Sequence, residues 1–112
     1  MNNCLFCKII NNEIPSEKVY SDEEIIAFKD INPQAPVHIL VIPKKHIDGA
    51  DVLEKEDAAL AGRLLLTAAR IAEQFHLSNG YRIVTNIGEH GGQTVRHLHF
   101  HLIGGEKLID SF

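Results

Sequence analysis

The sequence carries no surplus of basic charge: 11 Lys and Arg stand against 15 Asp and Glu, a net charge of −4. That balance excludes a broad electrostatic footprint for a nucleic-acid polymer, although a single nucleotide needs only local donors. No apolar run comes near the roughly 18–20 residues that span a bilayer, so no membrane association is expected. The first residues, "MNNCLFCKII", lack a basic leader followed by a long apolar segment, and a cytoplasmic location is the expectation. Cysteine is scarce: Cys4 and Cys7 are the only two. In a reducing compartment such a pair reads as thiols or metal ligands rather than as a structural disulfide. Repeats, low-complexity tracts and linkers are also missing, and 112 residues make a single domain, 1–112. A chain of this length buries only about two thirds of the surface its unfolded form exposes, so a second subunit or a bound metal would add stability.

What is present divides into short elements. "CLFCKIINNE" has a brief helical pattern that stops near Asn11 and Asn12. "KVYSDEEIIAFKD" reads as a hairpin around the polar turn at residues 21–23. "INPQAP" breaks regularity with two prolines, and "VHILVIP" then has the continuous apolar character of a central strand that Pro43 ends. A long helix is predicted within 54–76. Leu60, Leu64, Ile71 and Phe75, with Ala61, Leu65, Ala68 and Ala72, form its apolar face, and acidic residues crowd its start. "YRIVTN" and "VRHLHFHLIGG" are two further strands flanking the glycine-rich loop "IGEHGGQT". The fold class is therefore α+β, an antiparallel sheet of about five strands with one long helix packed on it.

Residues 97–103, "HLHFHLI", hold three of the seven histidines. On a strand, residues two apart share a face, so His97, His99 and His101 line one side and Leu98, Phe100 and Leu102 the other. The apolar side has a use in packing against the helix. An imidazole row can move protons, attack an electrophile or bind metal. Three imidazoles along a straight strand spread over about 13 Å, too far for all three to reach one zinc, although single members could join ligands from elsewhere.

"HLHFHLI", together with "CKIINNEIPSEKVY", "AFKDINPQAPVHILVIPKKHI" and "NGYRIVTNIGEHGGQTVRHLHFHLIGG", resembles the histidine triad superfamily, and within it the Hint branch of purine nucleoside phosphoramidases. The likeness runs over nearly the whole chain and keeps the order and spacing of the motifs. It implies a HIT-like fold and a hydrolase cleaving purine nucleoside 5′-phosphoramidates through a covalent nucleotidyl-histidine, as an adenosine 5′-monophosphoramidase does. By position, His99 is the implied nucleophile, His101 the group that contacts phosphate and protonates the leaving amine, and His38 a third active-site histidine. The attacking ring must be neutral, its other nitrogen held as N–H, most simply by a backbone carbonyl. Asp30 is implied to accept from the ribose hydroxyls, and Ile31 and Phe28 to sandwich the base, with Ile9 and Ile14 as contributors or simply core. Asn86, Gln93 and Thr94 are implied around sugar and phosphate. The family commonly has serine where Thr94 stands, so the hydroxyl survives and the extra methyl narrows acceptance. Gly91 and Gly92 permit close backbone approach.

The Cys-x2-Cys spacing suits two thiolates on one tetrahedral zinc; free thiols on a short turn and redox chemistry are the other readings. The resemblance implies structural zinc on Cys4, Cys7, His46 and His97, with no cofactor in the chemical step. His97 then anchors the strand rather than moving protons. A homodimer is implied as well, with a C-terminal segment that shapes the partner's site; here "EKLIDSF" occupies that position. Two other functions remain open. One is a dinucleoside polyphosphate hydrolase or nucleotidyl transferase; the other is a nucleotide-binding regulatory module with little catalysis.

Overall fold

A computed structural model describes residues 3–109 of the chain. Helix α1 (Leu5–Ile10) opens it, with the Cys4 sulfur accepting from the Cys7 N–H at 3.4 Å to cap the first turn. The predicted hairpin follows as β1 (Lys18–Ser21) and β2 (Ile25–Lys29). Its turn is held by Asp22, whose Oδ1 accepts from the N–H groups of Glu24 and Ile25, both at 2.8 Å. Strand β3 (Val37–Pro43) comes next, then two 3-10 turns, helix α2 (Ala58–Gln74), β4 (Tyr81–Val84) and β5 (Phe100–Gly104). The five strands form one antiparallel sheet in the order β1-β2-β3-β5-β4. The α+β class holds.

Sequence explains why α2 begins and stops where it does. Asp57 is buried, accepts from the Glu54 N–H at 3.0 Å and pairs with Lys45 at 2.8 Å, tying the helix entry to the end of β3. At the far end His76 takes a left-handed conformation (φ 61°), and the Leu77 N–H reaches back to the Ala72 carbonyl, a standard way to close a helix. The buried stripe is Leu60, Leu64, Ala68, Ile71 and Ala72, as the periodicity predicted. Leu65 is the exception. At 100° per residue it sits about 80° from the centre of that stripe, and it is 48% exposed, as its neighbour Leu66 is at 52%.

Because β3 lies centrally, its alternation feeds two cores. Ile39 and Val41 face α2 with Leu98, Phe100 and Leu102, while Leu40 and Ile42 face the opposite side with Phe6, Ile9, Ile26 and Phe28. The short helix α1 covers this second face. The histidines emerge on that side, beside α1.

The last strand is shorter than predicted. Pairing with β3 starts at Phe100, opposite Val41, and His97 to His99 lie just before it. Continuing the same register would set residue 98 opposite Pro43, which has no N–H for the ladder. The Leu98 N–H turns instead to the Ile47 carbonyl at 2.6 Å, and the Thr85 hydroxyl donates to the His99 carbonyl at 2.8 Å. Side-chain alternation survives this loss of pairing, so the two-faced reading of "HLHFHLI" stands.

Candidate active site

A cavity of about 290 Å³ opens on the α1 side of the sheet, just below the roughly 300–1,000 Å³ usual for small-molecule pockets. Leu5, Phe6, Ile9 and Ile14 form one wall, and Phe28 and Leu40 form its apolar floor. Asp30, Ile31, Thr94, His99 and His101 complete the lining. Ile31 stands at the mouth, 88% exposed, with its side chain ready to cover a flat ligand. Asp30 Oδ1 accepts from the Asn32 N–H at 2.8 Å, and Oδ2 lies 3.5 Å from His38 Nε2. A carboxylate has about four acceptor positions, so capacity remains for two hydroxyls.

Hydrogen-bond direction fixes the state of each imidazole. His99 is 3% exposed, and its Nδ1–H donates to the His97 carbonyl at 2.7 Å. Burial holds its pKa below the ordinary value, so the ring is neutral at pH 7 and Nε2 carries the lone pair. A backbone carbonyl is the simplest acceptor that the sequence reading named for this role. For His38 the order begins at the other nitrogen. The Gln34 N–H donates to Nδ1 at 3.0 Å, so Nε2 carries the proton and donates to His101 Nδ1 at 2.9 Å. His101 in turn keeps its proton on Nε2. Burial, then the neighbouring His99 and His38, push its pKa down to about 4. The two rings lining the cavity are therefore complementary: His99 offers a lone pair and His101 an N–H.

The His97 imidazole plays no part in that pairing. Its Nδ1 lies 3.3 Å from the Cys4 sulfur and 3.6 Å from that of Cys7, while Cys7 is 3.3 Å from His46 Nδ1. All four ligand atoms fall within 4.8 Å of one another. A zinc tetrahedron with metal–sulfur near 2.3 Å and metal–nitrogen near 2.0 Å has sulfur–nitrogen edges of about 3.5 Å. The outer nitrogens fit too. His97 Nε2–H donates to the Pro43 carbonyl and His46 Nε2–H to Asp48 Oδ1, both at 2.8 Å, so both Nδ1 atoms present lone pairs inward. The cluster can hold a metal. Asp30, His38 and His101 also lie close enough together for one, but there His38 Nε2 must carry a proton, because Nδ1 accepts from Gln34. That donor set does not suit a cation.

The remaining predicted residues divide. Thr94 lines the cavity, whereas Gln93 and Asn86 do not. Both Gln93 amide atoms are engaged: Nε2 donates to the carbonyls of Asp48 (2.7 Å) and Val95 (3.0 Å), and Oε1 accepts from the Gly88 N–H and Arg96. Asn86 donates to the Gly91 carbonyl at 2.8 Å. Both amides brace the glycine-rich loop that presents Thr94. A β-carbon at Gly91 would collide with the Ile87 carbonyl, and Gly92 has φ 84°, so both glycines are needed for the loop's path. Sequence reasoning missed Phe6, Gln34 and Asp48. Asp48 follows His46 by two residues, a spacing that could have flagged it. Gln34 acts through its backbone, which no side-chain pattern reveals.

Comparison with known proteins bears on family and fold. The HIT domain family matches residues 11–108. The purine nucleoside phosphoramidase of Escherichia coli is 48% identical over 105 residues, covering 93% of this chain and 88% of that protein. Protein HitA of Neisseria gonorrhoeae is 46% identical over 104 residues, 93% of this chain and 97% of its own. Among solved structures, a HIT family hydrolase from Clostridium thermocellum superposes with a TM-score of 0.95 at 46% identity, covering 99% of this chain and 97% of that one.

Proposed function

The chain belongs to the HIT domain family, and from that premise we propose that it is a hydrolase of purine nucleoside 5′-phosphoramidates. The observation that carries this reading is the fixed opposition of lone pair and N–H at His99 and His101. A nucleophile and a proton donor with rings 5.0 Å apart suit displacement at a phosphorus that bears an amine.

In the first step His99 Nε2 forms a bond to the α-phosphorus as the phosphorus–nitrogen bond breaks. The departing amine takes a proton from His101. The His97 carbonyl stabilises the positive charge that develops on the His99 ring, because it already accepts Nδ1–H. In the second step water attacks the same phosphorus, a proton returns to the His101 side, and the His99–phosphorus bond breaks to release the nucleoside monophosphate. His101 is neutral in the free protein. The negative charge of a bound substrate raises its pKa, and the added proton enters on Nδ1 as the His38 N–H turns from His101 to Asp30 Oδ2, 3.5 Å away, leaving the Nε2 proton for the amine. Asp30 receives the ribose hydroxyls, and Phe28, Ile31 and the α1 wall enclose the base.

We place zinc on Cys4, Cys7, His46 and His97. It supplies a structural clamp there, and no chemical step passes through it. Thiolate ligands need a reducing compartment, for which the cytoplasm is the natural reading. A second copy of the chain is the expected partner. The outer edge of β4, which no strand among the described residues pairs, and the half-exposed Leu65 and Leu66 are surfaces such a pairing would cover. Residues 110–112 of the C-terminal segment expected to reach the partner's site lie outside the described residues.

The test is to quench a reaction with labelled adenosine 5′-phosphoramidate and locate the label by mass spectrometry. Wild-type protein should carry AMP on His99, and His99→Ala none. Turnover and adduct persisting in His99→Ala would refute the mechanism. Diadenosine tri- and tetraphosphate under matched conditions separate a phosphoramidase from a polyphosphate hydrolase.

A further inference from the structure

Helix α1 belongs to the metal cluster and to the nucleotide pocket at once. Cys4 and Cys7 bracket two residues, Leu5 and Phe6, and both line the cavity, as does Ile9 one turn on. Phe6 is 4% exposed and sits among aromatic rings. Its centroid is 5.0 Å from that of His99 at 90°, 5.6 Å from Phe28 at 74° and 5.9 Å from His97 at 68°. These are edge-to-face contacts, which fix ring orientation as well as filling space. The same side chain thus touches the nucleophile, the base-binding floor and a metal ligand.

The helix is weak on its own. Six residues make fewer than two turns, well below the length at which an isolated helix holds together. Its three buried side chains, Phe6, Cys7 and Ile9, return less than the ordering of the six-residue backbone costs. Two sulfurs on one ion would fix both its position and its rotation about its axis. We propose that Phe6 is a positioning residue through which the metal cluster sets nucleotide affinity: metal binding by Cys4 and Cys7 seats the α1 wall, and Phe6 carries that placement to His99 and Phe28. This rests on the nucleotide pocket proposed above.

The test compares AMP dissociation constants, measured by calorimetry, for wild type, Phe6→Leu and Phe6→Ala, each zinc-loaded and each stripped with a chelator. Loaded Phe6→Ala should keep one zinc per chain yet bind AMP about tenfold or more weakly, with Phe6→Leu in between. KM should rise more than kcat falls. Stripped wild type should lose a similar factor, and stripped Phe6→Ala should lose little beyond that, because both changes remove the same wall. The proposal is overturned if loaded Phe6→Ala binds AMP as tightly as wild type, if stripping leaves wild-type affinity unchanged, if wild type takes up no metal, or if the two losses multiply. Should Phe6→Ala not fold, Phe6→Leu and the stripped wild type decide between the same outcomes. Loaded wild type failing to bind AMP at all would refute the pocket reading itself, a result distinct from the others.

Discussion

Replacing His38 with leucine should slow phosphoramidate cleavage through its effect on His101, without direct loss of a group at phosphorus. His38 is 6% exposed and donates from Nε2 to His101 Nδ1 at 2.9 Å, its own Nδ1 being committed to the Gln34 N–H at 3.0 Å. Leucine removes the donor and leaves a buried acceptor without a partner, a cost of about 1–3 kcal/mol. That cost falls on the tautomer that points N–H at the leaving group. At about 1.4 kcal/mol per tenfold, the rate should drop by about 5- to 150-fold. His101→Leu removes the proton donor itself and should cost about 10²–10⁴-fold. His38→Gln, whose amide can still donate, should recover part of the loss. The assay is kcat/KM on two substrates that differ only in leaving group: an adenosine phosphoramidate of an alkyl amine, which needs a proton, and adenosine 5′-p-nitrophenyl phosphate, which needs far less. The loss should appear with the first and largely vanish with the second. Equal losses on both, or none on the amine, would refute the hydrogen-bond chain from Gln34 to His101 as the source of the donor.

Three further outcomes are expected. His101 has a pKa of about 4 in the folded chain against about 6.5 unfolded, so the folded state binds fewer protons between those values. Stability should therefore fall as pH drops from about 6.5 towards 4, by about 1–2 kcal/mol after allowing for the ring's partial exposure; thermal melts of wild type should show a steeper decline than those of His101→Gln. Because a bound phosphate raises the His101 pKa from its low value in the free protein, AMP binding near pH 6 should take up protons, read from the dependence of calorimetric heat on buffer ionisation enthalpy, and a wild-type heat that does not vary with buffer would contradict it. Leu64 is fully buried beneath α2, and Leu64→Ala should cost about 3 kcal/mol, lowering Tm by about 13 °C for a chain of this length; a shift of only a few degrees would mean that α2 packs loosely.

Much of this architecture could be read from residue patterns. The alternation in "HLHFHLI" separates Leu98, Phe100 and Leu102 from the imidazoles whether or not the backbone is paired, because side-chain direction follows from extended dihedrals alone. The start of β5 could not be read, because it depends on Pro43, a residue on another strand. Leu65 was misplaced because spacing defines a stripe without defining its width, and the width is set by the sheet beneath. At the site, residue types pointed to the four residues that cluster as candidate metal ligands and to His99 and His101, which line the cavity, with His38 outside the lining and bonded to His101. They did not disclose Gln93 and Asn86 as braces of the loop, since an amide's partners here are main-chain carbonyls brought close by folding. They also left open which nitrogen of each ring carries the proton, which depends on carbonyl and N–H groups that every residue possesses.

The bond from His99 to the carbonyl of His97 has a consequence for variation at position 97. A codon change there can delete the imidazole, and with it a metal-cluster residue, but no codon change can delete a peptide oxygen. The choice of attacking nitrogen is thus written in the chain's path rather than in its alphabet. Lineages drifting at position 97 would lose grip on metal and nucleotide long before they lost the nucleophile's polarity. His97→Ala should accordingly retain a labelled His99 where His99→Ala does not.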